Sequence, residues 1–261
     1  MISSNQVKFF AKKFNANEST ILREYLQIFF LNELYKQKNS AKVYFKGGTA
    51  IHLLFGAPRF SEDLDFTVML SEAIFMQLIN SVFNEVSKNE EISFKQRRTI
   101  AGKTFLLTAK PGILPYATFI NLDFSFREKV IQPEKSTIDT PYPILFNSFI
   151  YHLSLEEMCA EKIRAIFTRQ KGRDFYDLWF LISKGVSINN ELVEEKLQHY
   201  KITAGQFKSL LDKTKNFSKK DFILDIRPFV PINQRDKLGE QFDYIKSYLV
   251  NKLSGAFLKS K

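Results

Sequence analysis

The chain has 261 residues, of which 44% are hydrophobic and 25% are charged. This balance is typical of a globular protein and excludes disordered and fibrous classes, and the length allows one large domain or two small ones, of which we expect two. Because Cys159 is the only cysteine, no internal disulfide can form. The sequence shows neither a signal-peptide pattern nor an apolar run long enough to span a membrane, so we expect a soluble, cytoplasmic protein with no membrane partner.

The net charge is +10, and it is unevenly distributed. Residues 191–261 carry 14 Lys or Arg against 9 Asp or Glu. This excess suggests a polyanionic partner such as nucleic acid, although a lysine-rich composition can also serve solubility alone.

The periodicity of apolar residues predicts an α/β (α+β) fold, in which a mixed sheet is flanked by helices. In chain order we predict helix 18–38, strand 43–46, helix 49–55, strand 64–70, a helix over 71–89 capped by Ser71, and strands 92–98, 103–110 and 118–126. The Pro-containing segment 139–146 interrupts this pattern, and the sequence beyond it is helical. We therefore predict a first domain over residues 1–145 and a helical, basic second domain over 146–261.

A Gly-Gly-Thr turn at the start of a predicted helix is the first candidate site. Gly47 and Gly48 allow backbone amides to approach a phosphate, Thr49 can add a hydroxyl, and a helix N-terminus favours negative charge. The pattern is not a Walker loop, which would require a second glycine followed by Lys and Ser or Thr. It predicts a cradle for a triphosphate.

Two aspartates follow the turn after 13 residues. Because side chains alternate along a strand, Asp63 and Asp65 project from one face, while Leu64 and Phe66 enter the core. Two carboxylates that share a site repel each other unless a hard divalent cation neutralises them, and Mg²⁺ is the natural ligand.

Strand alternation places a third carboxylate, Asp123, on the polar face of its strand. Three such groups on neighbouring strands can hold two metal ions, one activating the attacking oxygen and one neutralising the departing pyrophosphate. Asp123 could also serve as the base that accepts the proton of the attacking hydroxyl. Taken alone, a Gly-Gly pair is more often an ordinary turn and an Asp-x-Asp pair a solvated strand edge, so the order and spacing carry the prediction.

A second candidate cluster lies in the predicted helical domain. Ser154 and Glu157 form a capping box that opens a helix, and Lys162 lies within the apolar stripe of that helix. Lys162 could point at nucleotide phosphates or extend to the surface. Asp174 and Asp177 begin the next helix, where they could be functional acids or simply an acidic helix start.

In these motifs the sequence resembles the AbiEii/AbiGii toxin family, within the polymerase-β-like nucleotidyltransferases. The resemblance rests on KGGTA (46–50), RFSEDLDF (59–66), Asp123, EKIRA (161–165) and GRDFYDL (172–178). It implies that Asp63 and Asp65 bind metal, that Lys162 contacts the triphosphate and that Asp174 is a catalytic acid. The nucleotide-binding residues that we predict are Lys46, Gly47, Gly48, Thr49, Arg59, Ser61 and Asp177.

The resemblance also implies a function. Members of this family are the toxins of type IV toxin–antitoxin and abortive-infection systems, so we expect an enzyme that uses an NTP and Mg²⁺, adds nucleotide to the 3′ end of tRNA, blocks translation, and has a cognate antitoxin. Two alternatives remain open at this point. The acceptor could be a small molecule or a protein hydroxyl, or the chain could be a catalytically silent module that binds RNA or an antitoxin.

Overall fold

A computed structural model describes residues 2–88, 91–99, 102–198, 200 and 207–258. The chain divides into two compact units, Met1–Leu153 and Ser154–Lys261. This division falls later than the boundary that the sequence indicates after residue 145, because residues 150–153 form a strand that completes the sheet of the first unit. None of the described helices is both long enough and apolar enough to cross a membrane.

The first unit contains a mixed sheet, as the sequence predicts. In the described part of the chain its strands are β1 (Val43–Lys46), β2 (Leu64–Val68), β3 (Ile92–Arg97), β4 (Lys103–Ala109), β5 (Thr118–Ser125), β6 (Pro133–Ser136) and β7 (Ile150–Leu153). Their spatial order is β3-β4-β5-β2-β1-β7-β6. The pairs β2–β5 and β1–β7 are parallel and the others antiparallel. The sequence analysis did not predict β6 and β7.

The helices of the first unit are α1 (Ser4–Phe14), α2 (Glu18–Tyr35), α3 (Gly47–Phe55) and α4 (Glu72–Ser87). Ser71 caps α4 as predicted, because its hydroxyl accepts a hydrogen bond from the Ile74 amide at 3.5 Å. The predicted last residue of this helix, residue 89, lies outside the described residues.

The described part of the second unit is helical, as the sequence predicts. Its helices are α5 (Leu155–Thr168), α6 (Gly172–Ser183), α7 (Asn190–Gln198), α8 (Phe207–Lys215), α9 (Lys219–Ile226) and α10 (Leu238–Leu258). Ser154 caps α5 by accepting a hydrogen bond from the Glu157 amide at 3.1 Å. Phe175 on α6 joins a cluster of rings with Phe217, Phe222 and Phe242.

Helix α2 is more deeply buried than its amphipathic pattern predicts. Twelve of its eighteen residues are buried, including the polar Glu24, Gln27 and Asn32. Buried polar groups require hydrogen-bond partners. Those of Glu24 and Gln27 belong to the segments that carry the Gly-Gly-Thr turn and the aspartate pair, as described below.

Phenylalanine rings form the core between the sheet and α4. The Phe66 and Phe124 rings stack with centroids 4.8 Å apart on neighbouring strands. Phe75 of α4 packs on Phe124 at 4.8 Å and on Phe126 at 5.2 Å. The abundance of this residue, 27 in the chain, thus supports the buried face of the strands that carry the aspartates.

We expect Phe75→Ala to lower the free energy of unfolding by about 3–5 kcal/mol, because it leaves a cavity beneath Phe124. Urea unfolding followed by circular dichroism measures the change. Ile74→Ala is the matched control, since the neighbouring Ile74 is 41% exposed. Equal losses in the two variants would contradict this account of the core.

Candidate active site

Strand pairing brings two of the predicted carboxylates side by side. In the parallel pair β2–β5, Asp65 lies opposite Asp123, while the flanking residues Leu64, Phe66, Leu122 and Phe124 are buried on the other face. Paired residues on adjacent strands, about 4.8 Å apart, project their side chains to the same side. Both aspartates therefore face the same side of the sheet.

These aspartates belong to a row of polar side chains that crosses five strands. From β3 to β1 the paired residues are Arg97, Thr104, Asp123, Asp65 and Lys46. The Thr104 hydroxyl donates a hydrogen bond to Asp123 Oδ1 at 2.6 Å and so orients that carboxylate. The row therefore places two acids between two cations.

A pocket of about 260 Å³ opens over the middle of this row. Its polar lining includes Lys46, Asp65, Thr104 and Asp123, and the segment after β5 adds Arg127 and Glu128. The pocket thus offers carboxylate oxygens for a cation, and lysine and arginine nitrogens for an anion.

Asp63 lies just before β2, and its carboxylate is held from one side. The Asn121 amide donates a hydrogen bond to Asp63 Oδ1 at 2.9 Å and accepts one from Arg97 at 3.2 Å through its Oδ1 atom. The Thr49 hydroxyl donates to the Asp63 main-chain carbonyl. These contacts connect the glycine turn, β2, β5 and β3 around one residue.

The two glycines of the turn each make a close approach that a side chain would prevent. Gly47 has a φ of +80°, and a Cβ atom there would lie 2.4 Å from Asp65 Oδ2. A Cβ atom on Gly48 would lie 2.3 Å from the Arg59 guanidinium. Gly47 therefore makes room for the carboxylate and Gly48 for the arginine.

Arg59 and Thr49, both predicted to bind nucleotide, are only 2% and 1% exposed. The Arg59 guanidinium donates to the Phe60 carbonyl at 3.0 Å and packs against the glycine turn. In this arrangement both side chains hold the turn in place. Their contact with a nucleotide stays a prediction.

Helix α2 holds the segment between the turn and β2. The Gln27 amide donates to the main-chain carbonyl of Ser61 at 3.2 Å, and Arg23 pairs with Glu62 at 3.0 Å. Ser61 is thereby fixed through its backbone. Its predicted contact with nucleotide also stays a prediction.

A half-buried histidine anchors α3 to α2. His52 Nε2 lies 2.6 Å from Glu24 Oε2, and the other oxygen of Glu24 accepts a hydrogen bond from the Tyr142 hydroxyl at 2.9 Å. Burial alone would lower the pKa of His52, but the hydrogen bond to Glu24 and the charge of that carboxylate raise the pKa above its ordinary value. His52 is one helical turn beyond Thr49, so this pair helps to fix the start of α3.

The fit of this site to a magnesium ion can be judged from its donors. Among the residues that the structure describes, no group of three or more His, Cys, Asp or Glu side chains is arranged to hold a metal. Asp65 and Asp123 nonetheless line one pocket from paired strands, and carboxylate oxygen is the donor that Mg²⁺ prefers. Two of the three predicted ligands are thus brought together. The third, Asp63, accepts a hydrogen bond from Asn121 on β5.

In the second unit, Lys162, Asp174 and Asp177 form a cluster of their own. Lys162 Nζ lies 3.1 Å from Asp174 Oδ1 and 2.7 Å from Asp177 Oδ2, and all three side chains are buried. Arg169 binds both oxygens of Asp174, at 2.7 and 2.8 Å. The ammonium group of Lys162 thus neither extends to the surface nor lacks a counter-charge.

The charges in this cluster determine the ionisation of Asp174. Burial would raise the pKa of this carboxyl group, but the charges of Lys162 and Arg169 outweigh burial and hold the pKa well below its ordinary value. Asp174 therefore remains ionised at neutral pH. Arg173, the residue before Asp174, lies over the Phe229 ring at 4.8 Å.

Comparison with known proteins identifies the family. Residues 30–244 match the sequence profile of the AbiEii nucleotidyl transferase toxins of type IV toxin–antitoxin systems. The chain belongs to this family. It is accordingly a nucleotidyltransferase toxin, which implies an NTP substrate and an antitoxin partner. No curated protein sequence matches the chain.

Two solved structures share the fold. JHP933 from Helicobacter pylori is 20% identical, with a TM-score of 0.54, and the match covers 94% of this chain and 97% of that one. MenT4, a nucleotidyltransferase toxin from Mycobacterium tuberculosis, is 18% identical, with a TM-score of 0.59, and the match covers 94% and 90% of the two chains. At these identities the likeness supports the architecture of this AbiEii-family toxin.

Some site residues were not found from the sequence. Thr104, Arg97 and Glu128 reach the site through strand pairing or a loop that follows a strand, and no local motif marks them. Asn121 was recognisable only as a polar residue on the face of Asp123. A signal existed for Thr104, since alternation in β4 puts its side chain on the polar face, but the register was needed to place it beside Asp123.

We expect Gly47→Ala to lower the rate of nucleotide transfer by about 100-fold, because the new methyl group displaces the Asp65 carboxylate and a 1 Å misplacement in an active site can cost this much. Gly56→Ala, at the other end of α3, is the matched control. Gly56 also has a positive φ, +76°, but an added Cβ atom would meet nothing within 4 Å. Both variants place a side chain at a positive φ, and only Gly47→Ala should lose activity.

We expect Lys162→Met to lower the free energy of unfolding at pH 7 by about 3 kcal/mol, since it leaves buried carboxylates without their main cation. Because the pKa of Asp174 is depressed, the contribution of the ion pair is present above the unfolded pKa of 3.8 and is lost as the pH falls below it. The difference in the free energy of unfolding between Lys162→Met and the wild type should therefore become smaller towards pH 4 and below.

Urea unfolding followed by the fluorescence of Trp179, the single tryptophan of the chain, measures this difference in the second unit. Lys171→Met removes an exposed lysine just before α6 and is the control. A loss of stability that is the same at every pH would contradict the role of the ion pair.

Proposed function

We propose that this toxin is a magnesium-dependent enzyme that transfers nucleotide from an NTP to the 3′ end of tRNA and thereby blocks translation. The observation that carries the proposal is the pairing of Asp65 with Asp123, between Lys46 on one side and Thr104 on the other. The first unit would be the nucleotidyltransferase domain, and the second a helical, basic domain.

The triphosphate would lie at the start of α3. There the Gly48 and Thr49 backbone amides are at a helix N-terminus, where they can bind anions. Lys46, the last residue of β1, lines the same pocket as Asp65 and can neutralise a phosphate. Gly47 allows the turn to approach Asp65, so that phosphate and carboxylates would be adjacent.

Asp63, Asp65 and Asp123 would hold the metal. When bound, Mg²⁺ would activate the attacking hydroxyl and neutralise the pyrophosphate as it departs. Asn121 orients Asp63 through its amide, and the Thr104 hydroxyl orients Asp123. These two residues would keep the carboxylates in place before the ion arrives.

Lys162, Asp174 and Asp177 remain part of the proposal through the motifs that they occupy. Two carboxylates fix the position of the Lys162 ammonium group. The proposal that Lys162 binds phosphate oxygens rests on the motif resemblance, with Asp174 and Asp177 as the residues that hold its side chain.

A tRNA acceptor is supported by the net charge of +10 and by the basic residues 191–261. Part of this segment also packs within the second unit, since Lys196 is buried and pairs with Glu157 at 2.6 Å. Lys and Arg side chains that bind phosphates release the counterions condensed on the RNA, so transfer to tRNA should weaken as the salt concentration rises.

Asp65→Ala should abolish label transfer when purified protein is incubated with labelled NTPs, Mg²⁺ and total tRNA, because the metal loses a central ligand. Asp139→Ala removes an exposed aspartate of the same unit and should leave transfer unchanged. Calorimetry with Mn²⁺ and a non-hydrolysable NTP should show binding to the wild type and none to Asp65→Ala.

Parallel reactions would contain a cellular protein fraction or small hydroxyl compounds in place of tRNA. If label appears on either of these and not on tRNA, the proposal that tRNA is the acceptor is wrong, while the nucleotidyltransferase activity is supported. Transfer that survives in Asp65→Ala would reject the metal site.

A further inference from the structure

Strands β3, β4 and β5 present an open polar face beside the carboxylates. On this face the described side chains are half-buried or exposed, whereas the residues that alternate with them over 105–109 of β4 and 118–124 of β5 are buried. Phe119 on β5 differs from the polar residues of this face, because it carries a large aromatic ring that is 51% exposed. It is on the same face as Asp123, since the two residues are separated by an even number of positions.

The register defines three rows on this face. The first is Asp123, Thr104 and Arg97; the second is Asn121, Leu106 and Lys95; the third is Phe119, Thr108 and Ser93. Lys95 and Arg97 are both exposed on β3. The face therefore combines one accessible ring with a short line of cations.

The distance from ring to carboxylate suits a short flexible strand. Phe119 is four residues from Asp123 along β5, which corresponds to about 13 Å at the rise of a β-strand. A few unpaired nucleotides can bridge this span. Any nucleotide base can stack on an exposed aromatic ring, and the phosphates of the strand bind Lys and Arg side chains near that ring.

We propose that the unpaired 3′ end of the acceptor RNA lies along this face, with a base stacked on Phe119 and phosphates against Lys95 and Arg97. The inference rests on the proposed transfer to an RNA 3′ end, and it assigns the surface that leads to Asp123. A protein partner fits this face less well, because its apolar part is one exposed ring and the half-buried Leu106 among polar and cationic residues, and not a continuous patch.

The test measures the binding of a short, 5′-labelled single-stranded RNA by fluorescence anisotropy at several salt concentrations. Phe119→Ala should weaken binding about tenfold or more and leave the salt dependence unchanged, because stacking is lost without loss of charge. Phe119→Trp should restore it. Lys95→Ala should reduce the slope of log affinity against log salt by about 0.7, the value for one phosphate contact on a single strand.

Phe9→Ala and Lys8→Ala are matched controls. Both residues are exposed on α1, in the same unit, and are not part of the active site. They should bind RNA as the wild type does. In the transfer assay, Phe119→Ala should raise the KM for RNA about tenfold and leave the KM for NTP unchanged.

The outcomes separate this inference from the function on which it rests. RNA binding that depends on Phe119 and Lys95, in a protein that transfers no nucleotide, would support the surface and reject the proposed function. If Phe119→Ala and Lys95→Ala both transfer nucleotide to tRNA with unchanged RNA affinity and unchanged KM for RNA, the proposed RNA-binding surface is wrong. The proposed transferase function would then still hold. Equal losses in the α1 controls would also overturn it.

Discussion

The parallel pairing of β2 with β5 is the constraint on which the site depends. Because side chains alternate along a strand, a slip of one residue would turn either Asp65 or Asp123 into the core and a phenylalanine outward. The stacked Phe66 and Phe124 rings, each next in sequence to one of the aspartates, favour the observed register from the buried side. The active-site carboxylates are thus aligned by hydrophobic packing on the opposite face of the same strands.

Several interior charges among the described residues are paired, and this pairing affects the field at the protein surface. Glu24 pairs with His52, Asp174 and Asp177 with Lys162, and Glu157 with Lys196. Isolated charges are costly to bury, whereas paired and hydrogen-bonded ones are tolerated. Because bases neutralise these acids within the interior, the pairs add little to the field felt by a distant polyanion, and the positive field comes from the outer lysines and arginines.

Local patterns were sufficient to predict the elements that carry the chemistry. The unit of β1, glycine turn and α3, and the faces of β2 and β5, follow from residues that are close in sequence, and the family resemblance agrees with them. The strands β6 and β7 could not be predicted, because β6 consists of largely exposed residues without apolar alternation and β7 is defined by its parallel pairing with β1. The structure divides into units after Leu153, at the end of β7, whereas the sequence predicts a boundary after residue 145.

Contacts between segments that are distant in the chain could not be predicted from the sequence either. Lys162, Asp174 and Asp177 were each recognised, but only the packing of α5 on α6 shows that they neutralise one another. Arg59 was recognised as a motif residue, and its burial against Gly48 depends on how the intervening loop folds. The bridge that Asn121 makes from Arg97 to Asp63 required the register of three strands.

β3 is the last described strand on its side of the sheet, and its consecutive exposed residues Lys95, Gln96 and Arg97 are followed by the exposed Arg98. A terminal strand offers unpaired backbone groups to any other strand, and like charges along it discourage such pairing. Replacing these cations all together would therefore expose a template for edge-to-edge aggregation. The composition of this strand is constrained by colloidal stability at high protein concentration, independently of any ligand.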